Sequence, residues 1–143
     1  VGKIGVPDDI LRKPGRLTPE EYEIMKRHPR LGELIVGGIP GMESIIDAVR
    51  SHHERWDGQG YPDQLAGEQI PFMGRLLAVA DAFSAMTTDR PYRKGMDFSV
   101  AIGEIRAGMG TQFDPTMADA FINACNKRGL LAEVTDIPVR KAA

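Results

Sequence analysis

The chain has 143 residues, enough for one compact domain around one core, and its 42% apolar content is ordinary for a globular protein. A formal charge of -2 gives no electrostatic reason to expect DNA, RNA or an anionic membrane as partner, and no apolar run reaches bilayer-spanning length. Cys125 is the single cysteine, which excludes an internal disulfide and fits a reducing, cytoplasmic compartment.

No signal peptide opens the chain, and Val1 in place of methionine reads as a cut through a larger unit. Pro7, Pro14 and Gly15 break up the first stretch, leaving room for a short helical turn over Asp8 to Lys13. Thr18-Pro19-Glu20-Glu21 is a helix start: Thr18 caps, Pro19 suits the first helical position, and Glu21 completes a capping box. That helix is expected to reach Arg27 or His28. A second begins at Pro29 and is ended by Gly37 and Gly38. Met42 to His53 forms the next, with Met42, Ile45, Ile46 and Val49 as an apolar stripe that continues to His52 and His53. Trp56 to Gln69 has the glycine and proline density of an ordered loop. A longer helix spans Pro71 to Thr87, with Leu76, Leu77, Ala80, Phe83 and Ser84 on a broad face and Asp81 on or beside it. Further helices run from a Ser99 cap to Ala107, and from an Asp114 cap to Gly129. No alternating pattern argues for a strand, so the fold class is all-α. The chain divides into one domain over residues 1–136 and a loosely held tail over 137–143.

The chemistry concentrates in few residues. Two of the three histidines, His52 and His53, stand side by side before a glycine-rich turn. Imidazole nitrogen and carboxylate oxygen together suit divalent iron, manganese or zinc. The bland reading is one buried, hydrogen-bonded ring and one exposed ring. An unpaired Asp81 on an apolar face would cost several kcal/mol, which a metal or a cation would relieve; otherwise it faces solvent or an arginine. His28, alone, reads first as a helix-end cation or a surface group. In Gly58-Gln59-Gly60-Tyr61-Pro62 the glycines allow close backbone approach, and Tyr61 either hydrogen-bonds a ligand, stacks on a base or packs the loop. Asp57 can lock the turn through its own side chain. Arg90, Arg93 and Lys94 form a short cationic run that suits phosphate oxygens or merely a solvated face.

The combined text resembles the HD-GYP branch of the HD-domain metal-dependent phosphohydrolases. The matching segments are Val1 to Pro7, Met25-Lys26-Arg27-His28, Ser51 to Pro62, Ile70-Pro71, Arg75 to Phe83, Thr88 to Arg93 and Gly110 to Pro115. They cover nearly the whole chain, and the Ser51 to Pro62 segment is highly specific. The resemblance implies a compact, all-helical HD-type domain that hydrolyses cyclic di-GMP with two or three divalent metal ions, commonly iron or manganese. It makes His28, His52, His53 and Asp81 metal ligands, with Asp81 and Lys3 serving the chemistry. Lys3, Tyr61, Arg90, Arg93 and Lys94 become substrate-binding candidates. It also implies an upstream receiver or sensor domain, and a homodimer or signalling-protein partner.

The family's His-Asp pair, an earlier histidine and an associated glutamate are absent from these residues. The domain therefore reads as N-terminally truncated, with hydrolysis expected of the intact parent rather than of this chain alone. The rival readings are a noncatalytic module that binds cyclic dinucleotides or a protein, and a phosphohydrolase for another nucleotide.

Overall fold

The structure is a computed structural model that describes residues 1–89 and 93–129. The tail at 137–143 and the end of the domain at 136 lie outside the described residues. A 3-10 turn, Gly2–Gly5, precedes α1 (Asp8–Leu11), α2 (Pro19–Met25), α3 (His28–Gly37), α4 (Glu43–Ser51), α5 (Phe72–Thr87), α6 (Phe98–Ala107) and α7 (Pro115–Lys127). A further 3-10 turn, Gly67–Gln69, closes the long loop before α5. There is no strand among the described residues, only the isolated bridges Asp57 to Ala66 and Met109 to Phe113. No described helix is long and apolar enough to cross a membrane.

The expected capping box forms at α2: Glu21 N–H donates to Thr18 Oγ1 at 3.3 Å, and Thr18 N–H donates to the Glu21 carboxylate at 2.7 Å. Three boundaries differ from the sequence reading. The chain turns at Lys26 and Arg27, so His28 opens α3 instead of ending α2. Helix α4 stops at Ser51, leaving His52 as its C-cap and His53 in the following turn. Asp97, not Ser99, caps α6. Its carboxylate accepts from both Ser99 N–H at 2.8 Å and the Ser99 hydroxyl at 2.6 Å, and an anion suits the positive end of a helix.

Two apolar faces are also corrected. In α4 the buried residues are Ala48 and Ser51, whereas Met42 and Ile45 are exposed. Small residues face inward there because the helices approach closely: a Cβ on Gly74 of α5 would lie 2.7 Å from Ser51 Cβ. In α5 the face that enters the core centres on Val79, which is fully buried. Leu77, Asp81 and Ser84 share the opposite, exposed side, as spacings of four and three require.

The main core lies in the second half, where Val79 meets Ile102, Ile105, Phe113, Ala118, Ile122 and Cys125. In the first half α3 packs on the 3-10 turn and on α4, and α4 packs on α5. Gly2 is required there: a side chain at that position would collide with the backbone of His28 and Gly32.

Arg75 and Asp114 join the halves. Arg75 Nη1 meets the 3%-exposed Asp114 side chain at 2.7 Å. The other carboxylate oxygen caps α7 through Thr116 N–H at 2.8 Å. Replacing Asp114 with Ala removes the cap and strands a mostly buried guanidinium. We predict a loss of about 3 kcal/mol in urea unfolding, whereas Asp114→Asn, which keeps an acceptor for the cap, loses less.

Candidate metal centre

Helix α3 begins and α4 ends at the same place, which brings the three histidines together. The ligand nitrogens of His28, His52 and His53 all lie within 4.8 Å of one another. His28, which alone in sequence reads as a surface group, is only 4% exposed, because it sits under the first turn of α3 beside Gly2. The His52 and His53 ring centroids are 4.2 Å apart, and those of His28 and His53 are 4.9 Å apart.

Backbone carbonyls orient two of the rings. His28 Nδ1 is 2.8 Å from the Met25 carbonyl, and His52 Nδ1 is 2.8 Å from the Val49 carbonyl. A carbonyl only accepts, so both Nδ1 atoms carry hydrogen and both neutral rings present an Nε2 lone pair. His53 Nε2 lies 3.1 Å from His28 Nε2 and donates across that gap when no metal is bound. Taking a metal at the same nitrogen requires His53 to hold its proton at Nδ1 instead.

Burial keeps the cluster neutral. Desolvation lowers the pKa of His28 and of His52, and Asp81 partly offsets the shift at His52. Desolvation, followed by repulsion from His52 and His28, lowers His53 to about 3. Three neutral imidazoles, two of them with carbonyl-fixed tautomers, form a donor set that fits a divalent metal.

Asp81 stands apart from this group. It is exposed, so its charge carries no burial penalty and the desolvation argument for a metal does not apply to it. Proximity is what remains: Asp81 lines a cavity of about 270 Å³ with Lys3, His28, His52 and Leu77. It also lines a second cavity, of about 280 Å³, with His52, His53, Tyr61, Arg55 and Gln112. Lys3 thus lines the same cavity as His28 and His52. Arg93 and Lys94 are exposed, and Arg93 donates to the Ala85 carbonyl at 2.6 Å on α5. Neither lines these two cavities. Arg90 lies outside the described residues.

The loop after His53 is tightly organised. Tyr61 stacks on His53 with centroids 4.9 Å apart and planes at 25°. Gly60 is buried, and a Cβ there would lie 2.5 Å from Glu54 Cα, so only glycine allows this approach. Asp57 does lock its turn, accepting from Gln59 N–H at 3.1 Å while pairing with Arg55 at 2.6 Å.

Sequence reasoning missed Glu54. It is 3% exposed, and its carboxylate accepts from Asp63 N–H at 2.6 Å and from Leu65 N–H at 3.1 Å. Its pKa is raised by burial. Nothing local marks it as a brace; only the returning loop reveals that role. Arg50 was missed too. It grips Asp63 at 2.7 and 2.8 Å and also pairs with Glu33 on α3.

With this geometry in hand, similarity to known proteins decides the family. The model of a family described as HD domain matches residues 1–117. The chain belongs to the HD domain family. Within it, the HD-GYP assignment read from the motifs is supported by the relatives. One is the cyclic di-GMP phosphodiesterase response regulator RpfG of Xanthomonas campestris pv. campestris, 44% identical over 124 residues, covering 85% of this chain and 33% of the relative. Another is a cyclic di-GMP phosphodiesterase of Thermotoga maritima, 42% identical over 139 residues, covering 96% of this chain and 36% of the relative. The chain thus spans about a third of the length of these relatives. Among solved structures, a cyclic GMP-AMP specific phosphodiesterase of V. cholerae, V-cGAP3, aligns with a TM-score of 0.63 at 20% identity. The alignment covers 93% of this chain and 36% of that one, and it supports the HD-type helical fold.

The low histidine pKa values set a pH dependence for the metal-free protein. In the unfolded chain His53 binds a proton near its ordinary 6.5, and in the fold only near 3. The unfolded state therefore binds more protons between those values, and stability rises with pH across that window. We predict that this contribution is complete above about pH 6.5 and is lost as pH falls towards 3, read as a declining urea midpoint. His53→Phe should flatten the decline.

Proposed function

We propose that this chain supplies the metal-binding and substrate-facing part of a phosphodiesterase that hydrolyses cyclic di-GMP in its longer parent. The observation that carries the reading is the neutral His28, His52 and His53 cluster, with Tyr61 stacked against it and Lys3 at its edge. The names of the relatives support the choice of substrate, since both are called cyclic di-GMP phosphodiesterases.

His28, His52 and His53 hold the metal, iron or manganese in this reading, and Asp81 completes its coordination from the facing side of α5. A bound divalent ion polarises a phosphate oxygen and lowers the pKa of a water. Lys3 neutralises phosphate charge from the cavity rim. The ring of Tyr61 walls the site and offers its hydroxyl or its edge to the dinucleotide. Arg90, Arg93 and Lys94 are further candidates for phosphate contacts on the strength of the motif alone, since Arg93 and Lys94 lie outside the two cavities. Two or three ions, and the remaining ligands, belong to the assembled parent, along with an upstream receiver or sensor domain and a dimer or signalling partner.

The test is turnover by the full-length parent loaded anaerobically with iron(II) or with manganese(II). We expect linear dinucleotide from cyclic di-GMP, and a loss of ~100-fold or more in kcat/KM for His53→Ala, since a metal supplies several kcal/mol of transition-state stabilisation. Ligand binding without product would establish the noncatalytic module instead. Faster turnover of 3'3'-cyclic GMP-AMP in competition would reassign the substrate.

A further inference from the structure

Tyr61 lines a third cavity, of about 240 Å³, in addition to the one beside His52 and His53. This cavity lies between the α2–α3 turn and the glycine-rich loop. Its charged lining is Lys26, Arg27 and Arg30 against the single carboxylate of Glu23, with Gln64 and Tyr61 alongside. The excess of cations is local, because the whole chain is slightly acidic.

The three cations are not equally committed. Lys26 pairs with Glu23 at 2.5 Å. Arg30 donates to the Pro62 carbonyl at 3.3 Å and reaches Asp63 only at 3.5 Å, a carboxylate that Arg50 already holds at 2.7 and 2.8 Å. Only Nη2 of the Arg30 fork is engaged among the described residues. Arg27 is exposed and makes no ion pair among the described residues. Two guanidinium groups facing one pocket match the tetrahedral oxygens of a phosphate monoester, which accepts several charge-assisted hydrogen bonds. Tyr61 and Pro62 add an apolar wall that a bare anion would leave unused.

We propose that this basic cavity binds the phosphate group of a nucleotide, at a site separate from the histidine cluster and joined to it through Tyr61. The site reads charge and shape at the α2–α3 turn and requires no metal. It is therefore independent of the hydrolytic reading and can be tested without turnover.

The experiment titrates the metal-free chain with inorganic phosphate, GMP and guanosine, following backbone amides by NMR at neutral pH. The histidines are then uncharged and do not compete for the anion. We expect saturable shifts at Arg27, Gly60 and Gln64 with phosphate and with GMP, tighter for GMP, and none with guanosine. Arg27→Glu should weaken GMP binding by ~tenfold, the size of one charge-assisted hydrogen bond. Glu23→Gln should tighten it by freeing Lys26. Circular dichroism of each variant confirms that the helices are retained. Equal responses to guanosine and GMP, no preference for GMP over phosphate, shifts confined to His52 and His53, or full affinity in folded Arg27→Glu would each overturn the proposal.

Discussion

Helices α3 and α4 lie close because Gly32 offers nothing between them: a Cβ there would sit 2.8 Å from Val49 Cγ1. Gly2 packs on the same stretch of α3, against the backbone of His28 and Gly32, and the Cβ missing from Gly32 would meet it as well as Val49. Everything at the metal centre follows from that approach. It brings the first residue of α3 against the two residues that follow α4, so three imidazoles share one buried place. Desolvation then favours the neutral rings, and the Met25 and Val49 carbonyls decide which nitrogen of His28 and His52 stays open. A cluster of charged histidines would repel both itself and a metal; burial converts it into a donor set.

The glycine-rich loop is held by charge rather than by a core. Glu54 turns inward and accepts two backbone N–H groups from the returning arm of the loop. Such a carboxylate, once buried, is costly unless these bonds are made, so the loop path and the Glu54 orientation enforce each other. Arg50 anchors Asp63 from α4, and the backbone N–H groups of Trp56 and Asp57 donate to Gln112 and Thr111 at 3.2 and 2.8 Å. Arg75, over the Trp56 ring at 6.0 Å, ties the same region to the α7 cap. The stacking of Tyr61 on His53 is thus the product of contacts made from several helices. The second half of the fold, with its apolar core, acts as the rigid base for this loop.

The histidine pair, the capping box at Thr18 and Glu21, the Asp114 cap and the order of helices were legible in the residues because each rests on neighbours within a few positions. The family was legible for a related reason: its motif keeps Ser51 to Pro62 contiguous. Helix ends were less legible. The stop of α4 at Ser51 and the start of α3 at His28 are set by where two helices meet, not by local propensity. Periodicity put Ile46, Val49 and Phe83 on inward sides but added the exposed Met42, Ile45 and Leu77, since it measures apolar spacing and cannot see that small residues are buried where helices touch closely.

The sequence by itself determined an all-helical chain, its caps and the residue types able to ligate a metal or meet a phosphate. Only the tertiary structure decided that His28 is buried against His53, that Asp81 opens to solvent beside them, and that Glu54 braces the glycine-rich loop. The physical reason is range. Caps and periodicity act over one or two turns, whereas desolvation, ring tautomer and carboxylate role depend on groups far away in the chain that folding alone brings within a few ångströms.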